Sequence, residues 1–131
     1  MNAKTVLIVE DDQDQSMLLA SLLKRNGYHV ISAPDAVFVI TTARNERPDL
    51  ILLDIQLPGG DGFLVLQRLQ AIVELTTTPV IVMTAFDKYV EGAALEAGAM
   101  AFLKKPIDKN LLLATVRRAV THPDDPEEML S

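Results

Sequence analysis

The chain has 131 residues, 49% hydrophobic and 23% charged, with a net charge of −6 and no cysteine. That length suits one globular core with no spare length for a second. The missing cysteine excludes disulfides, thiolate metal sites and cysteine nucleophiles, and the negative charge without a basic stripe argues against direct nucleic-acid binding. No apolar run nears the ~20 residues that span a bilayer, and no basic and then apolar leader is present, so a cytoplasmic domain without membrane contact is expected.

In chain order, the aliphatic run at 5–9 (TVLIV) reads as a strand that runs into Glu10, Asp11, Asp12 and Asp14. Two like charges ~4 Å apart repel by roughly 4 kcal/mol at an effective dielectric of ~20, so these acids need a cation or must point apart. Leu18, Leu19, Leu22 and Leu23 form the apolar stripe of a helix that stops at Asn26-Gly27. Asp12 and Asp14 suit the positive N-terminal end of that helix, as cap or solvent-facing residues. A strand at 29–33 (HVISA) follows, then a helix at 35–45. The helix is expected from the alternation of elements, because Val37, Val39, Ile40, Thr41 and Thr42 are poor helix formers.

The run at 50–54 (LILLD) is a strand closing on Asp54. Pro58, Gly59, Gly60 and Gly62 read as a flexible loop without the spacing of a phosphate-cradling loop. A helix at 62–72 should turn Phe63, Leu66 and Leu69 inward. The strand at 80–84 ends on Thr84, and a helix at 88–97 stops at Gly98. The strand at 101–105 carries Phe102, Lys104 and Lys105. A last helix runs from Asp108 as N-cap to about Val120, with Leu111, Leu112, Val116, Ala119 and Val120 as its stripe. The methionines read as core or tail residues, and His29 and His122 as ordinary surface or strand residues. Residues 1–121 form the expected domain; 122–131 (HPDDPEEMLS), with two prolines and four acids, reads as an acidic tail or the start of a linker.

Five strand–helix units predict an α/β domain: a doubly wound, five-stranded parallel sheet in the order 2-1-3-4-5, flavodoxin-like (βα)5. In that order Glu10 and Asp11, Asp54, Thr84 and Lys105 converge on the carboxyl edge, where open α/β sheets bind ligands. Carboxylates with no histidine or cysteine select a hard cation, Mg²⁺ before Ca²⁺. A lysine adds a point charge and a threonine a hydroxyl donor. Together these groups suit phosphoryl transfer to an aspartate. Taken singly, Thr84 would be an ordinary β-branched strand residue, Phe102 a core residue, and Lys104 an alternative to Lys105 on the opposite strand face.

Four pieces, "VLIVEDD", "LILLDIQLPGGDGF", "VIVMTA" and "AGAMAFLKKPI", cover 4–120 in an order that resembles the receiver domain of two-component response regulators, the CheY-like family. The resemblance implies that Asp54 accepts a phosphoryl group from a phosphohistidine on a sensor histidine kinase or phosphotransfer protein. It implies Mg²⁺ ligated by Asp11, Asp54 and the backbone carbonyl of Gln56, with Glu10 acting through metal-bound water. Thr84 would bond a phosphoryl oxygen, and Lys105, next to Pro106, would bridge the phosphoryl group and the acidic pocket. Phe102 stands at the family's switch aromatic, expected to turn inward as Thr84 moves and so alter the surface of helix four, strand five and helix five. The expected protein is a signalling switch with slow autodephosphorylation rather than a turnover enzyme; its output target is unknown.

Two rivals fit less well. A haloacid-dehalogenase-like phosphatase wants a second aspartate where Gln56 stands. A flavodoxin-like FMN carrier wants a hydroxyl-rich loop after the first strand, and only Tyr28 and Tyr89 offer polar aromatic stacking. Departures from the resemblance are informative too. Met100 and Ala101 replace the acidic pair of the dimer-forming branch, which argues against a dimer built on those salt bridges. Phe102 lacks a hydroxyl, so a lower barrier to its buried orientation is expected.

Overall fold

A computed structural model of the chain describes residues 3–56, 62–85 and 88–121. Five strands, β1 (Thr5–Val9), β2 (His29–Ala33), β3 (Leu50–Asp54), β4 (Val80–Thr84) and β5 (Ala101–Lys104), alternate with helices. The helices are α1 (Gln13–Arg25), α2 (Ala36–Glu46), α3 (Gly62–Ala71), α4 (Lys88–Glu96) and α5 (Lys109–Val120). The strands pair in parallel in the order β2-β1-β3-β4-β5, as the sequence reading expects.

Strand periodicity divides the core in two. Leu7, Val9, Ile51, Leu53, Val80 and Val82 face α2, α3 and α4, meeting Val39, Ala43, Val65, Leu66, Leu69 and Ala94. Val6, Ile8, Leu50, Leu52, Ile81 and Met83 face α1 and α5, meeting Leu19, Leu23, Leu112 and Val116. Because every side chain of β3 and β4 is covered, both strands are apolar until their last residues. No helix among the described residues is long and apolar enough to cross a membrane.

Helix ends follow local chemistry. Asp12, Asp35 and Asp108 cap α1, α2 and α5 by accepting the N–H groups of Gln15, Val37 and Leu111. Past α1 and α4 the chain turns through Gly27 at φ +91° and Gly98 at φ +108°, conformations that favour glycine.

Several expectations need correction. Leu18 and Leu111 are exposed, because at 3.6 residues per turn each sits about 100° from its buried neighbour, Leu19 or Leu112. Phe63 is half-buried, while Val65 is the inward residue the periodicity reading omitted. Met83 lies in the core, but Met17 and Met100 are exposed rather than core or tail. β5 ends at Lys104, so Lys105 stands one residue beyond the strand. A 3-10 turn at Val73–Leu75, anchored by buried Leu75, was not anticipated. Pro58, Gly59, Gly60, His122 and the remainder of 122–131 lie outside the described residues, as does the side chain of Tyr89.

Candidate functional site

The site grows from the ends of strands whose other residues are apolar. Pairing β1 beside β3 and β3 beside β4 places Glu10, Asp54 and Thr84 along one edge. These three are the buried polar or charged residues among the described ones, at 3%, 4% and 0% exposure. Lys105, just past β5, reaches across to them. Its Nζ donates to Glu10 Oε1 at 2.6 Å and to Asp54 Oδ2 at 3.0 Å.

Backbone groups hold the other oxygen of each carboxylate. Asp12 N–H donates to Glu10 Oε2 at 3.3 Å, and Gln56 N–H donates to Asp54 Oδ1 at 2.9 Å. The Lys105 main chain is tied down as well, its N–H donating to the Thr84 carbonyl at 2.8 Å. Lys104 is exposed, so the two lysines separate as strand alternation expects. Phe102 is half-buried and packs against the core layer on the α2–α3–α4 face.

The electrostatics are those of an under-neutralised pocket. Burial pushes the Glu10 carboxyl up from its ordinary value; the hydrogen bond and charge of Asp54 add to this, and Lys105 offsets part of it. For Lys105, burial pulls down, but hydrogen bonds to Glu10 and Asp54 and their charges outweigh it and hold the ammonium above its ordinary range. With exposed Asp11 the pocket gains a third carboxylate, and one oxygen each from Glu10, Asp11 and Asp54 lies within 4.8 Å of the others. Three carboxylates against one ammonium leave an excess of negative charge when all are ionised. The donor set is all oxygen and partly open to solvent, which fits a hard divalent cation that keeps some of its water.

The sequence reading did not assign Gly62 a packing role. It is buried at the start of α3, and an ideal Cβ there would fall 2.3 Å from the carbonyl oxygen of Ile55, the residue after Asp54. The glycine is a close approach of two backbones, reinforced by Gly62 N–H donating to that carbonyl at 3.2 Å. A glycine opening a helix beside a strand-end aspartate was the available signal. The anchoring N–H groups of Asp12 and Gln56 carry no sequence signal, since any residue but proline supplies one.

Comparison with known proteins places this geometry in context. Residues 6–117 match the family model of the response regulator receiver domain. Protein PilH of Pseudomonas aeruginosa is 33% identical over 112 residues, 85% of this chain and 93% of that protein. The response regulator PleD of Caulobacter vibrioides is 38% identical over 115 residues, which cover 86% of this chain but 25% of PleD. Among solved structures, the receiver domain of a sensor histidine kinase from Pseudomonas aeruginosa superimposes with a TM-score of 0.84 at 27% identity, covering 91% of this chain and 98% of that one. That structure holds a magnesium ion coordinated in its active-site cleft.

Proposed function

This chain belongs to the response regulator receiver domain family, and from that premise we propose that Asp54 is its phosphoacceptor. The observation that carries the reading is Lys105 bridging buried Glu10 and Asp54 beside Asp11. Receiver domains interact with histidine kinases or phosphotransfer proteins, so the donor in this reading is a phosphohistidine on one of them. An oxygen of Asp54 attacks phosphorus, and the imidazole departs with the electrons of the P–N bond. Such transfer depends mostly on positioning and on neutralising the phosphoryl oxygens. Lys105 supplies one fixed positive charge, and the Thr84 hydroxyl is the donor to a phosphoryl oxygen.

The residues that would hold Mg²⁺ are Asp11, Asp54 and the Gln56 carbonyl, with Glu10 acting through water; the ion would supply further charge neutralisation. Phe102 is the aromatic that turns inward as Thr84 moves, and the surface of α4, β5 and α5 is the output face toward an unidentified target. The protein in this reading is a switch with slow hydrolysis of its own aspartyl phosphate. Residues 1–121 are the receiver, and 122–131 an acidic tail or the start of a linker.

The test is incorporation of acid-labile phosphate from acetyl phosphate with Mg²⁺. The wild-type chain should incorporate it and Asp54→Asn should not. Undiminished incorporation in that variant would move the acceptor elsewhere.

A further inference from the structure

Asn26 and Gly27 close α1 at the amino edge of the sheet, away from the carboxylate pocket, and both are exposed. The Asn26 N–H donates to the Leu23 carbonyl at 3.0 Å, one residue short of the partner a continuing α-helix would give it. The Leu22 carbonyl thereby passed over is taken by the Asn26 side chain, whose Nδ2 donates to it at 2.8 Å. Gly27, at φ +91°, turns the chain toward β2. Its N–H donates to the Lys24 carbonyl at 3.1 Å, and the Tyr28 N–H donates to the Leu23 carbonyl at 3.1 Å.

The same two residues can react with each other, because glycine has no side chain to crowd the approach of its amide to the preceding asparagine. The Gly27 nitrogen, having lost its proton to solvent, attacks Asn26 Cγ. The N–Cγ bond forms, the Cγ–Nδ2 bond breaks, and the amide nitrogen takes that electron pair and a proton and leaves as ammonia. Water then opens the succinimide at one of its two carbonyls, giving aspartate or isoaspartate. Each feature of the cap opposes this path. Asn26 sits at ψ 17°, which turns the Gly27 nitrogen away from the Asn26 side chain. The attacking N–H is occupied by Lys24 and the leaving amide by Leu22.

We propose that Asn26 is a deamidation site latched by the α1 cap, and that it reacts through openings of the last turn of the helix. The product cannot close the cap as before. It sets a carboxylate, with no N–H for the Leu22 carbonyl, at the negative end of the helix dipole. Isoaspartate also adds a methylene to the main chain of the turn between α1 and β2. Openings of this turn are therefore recorded irreversibly at one residue.

The test incubates the 131-residue chain at mildly alkaline pH, folded and in urea. Peptide mass spectrometry follows conversion of amide to acid at each asparagine. Asn45 and Asn110 are exposed references, since the side chains of Glu46 and Leu111 crowd the same attack. Asn26 should outrun both in urea. On folding it should slow by at least about tenfold, which corresponds to ~1.4 kcal/mol of local opening. Lys24→Gly weakens the last turn at an exposed position and should raise the folded rate about fivefold, relative to the variant's own rate in urea. Equal Asn26 rates in the folded and unfolded chains would overturn the latch. Conversion in urea no faster than at Asn45 and Asn110 would overturn the site itself. A folded rate unmoved by Lys24→Gly would overturn the proposal too, by detaching the reaction from the helix end.

Discussion

The two edges of the sheet use carboxylates in opposite ways. At the amino edge, Asp49 accepts the Thr5 N–H at 2.8 Å, joining the start of β1 to the approach of β3. One half-buried carboxylate completes one backbone group there. At the carboxyl edge, Glu10 and Asp54 are almost fully buried, share one ammonium and have exposed Asp11 beside them. A carboxylate that finishes a hydrogen-bond inventory is structural. Carboxylates crowded beyond their available positive charge hold binding energy in reserve for a cation or for a group that alters their charge.

The contrast breaks most sharply at Lys105. Lys105→Met leaves two buried carboxylates without their ammonium and should cost about 3–5 kcal/mol, whereas Asp49→Ala loses one ordinary hydrogen bond, about 1 kcal/mol. Equal shifts in the urea midpoint for the two variants would erase the distinction. Next in size, Gly62→Ala drives a methyl into the Ile55 backbone and should cost about 1–3 kcal/mol by chemical denaturation; an unchanged midpoint would show that α3 can withdraw from the site freely.

A smaller effect concerns the cation itself. Mg²⁺ at ten times its Kd should add about 1.4 kcal/mol to the folded state, and Asp11→Asn should remove most of that gain. Melting temperatures of both proteins with and without Mg²⁺ decide it; a shift of equal size in each would take Asp11 out of the metal site.

The smallest effect is that of pH in the absence of metal. Folded Glu10 keeps its proton above its ordinary value of 4.5, where the unfolded chain has released it, so its contribution to stability falls as pH rises through that window. Lys105 has the opposite charge type: its raised folded value gives stability that persists through neutrality and is lost only at alkaline pH. Urea midpoints in EDTA should fall across the acid window in wild type and lose that component in Glu10→Gln. A matching slope in the variant would assign it to another group.

The division of labour along the sheet was legible because β3 and β4 are apolar until Asp54 and Thr84, an abrupt change of chemistry that needs no structure to notice. Lys105 could be chosen over Lys104 from strand alternation and the proline that follows. Helix stripes were read too broadly: adjacent leucines such as Leu18 and Leu19 look equivalent in sequence, yet a helix turns one of them outward. Gly62 escaped because a glycine needed for backbone contact and one in a loop look alike until the neighbouring strand is in place.

The Lys105 N–H bond to the Thr84 carbonyl has a mechanical consequence. The lysine is clamped at both extremities, its ammonium on two acids and its amide on the neighbouring strand's last residue. The Lys105 amide and the Thr84 carbonyl thus share one contact, and a main-chain displacement at either should be felt at the other. A substitution that loosens this contact should weaken the hold of the ammonium on Glu10 and Asp54 even when every polar side chain of the pocket is intact.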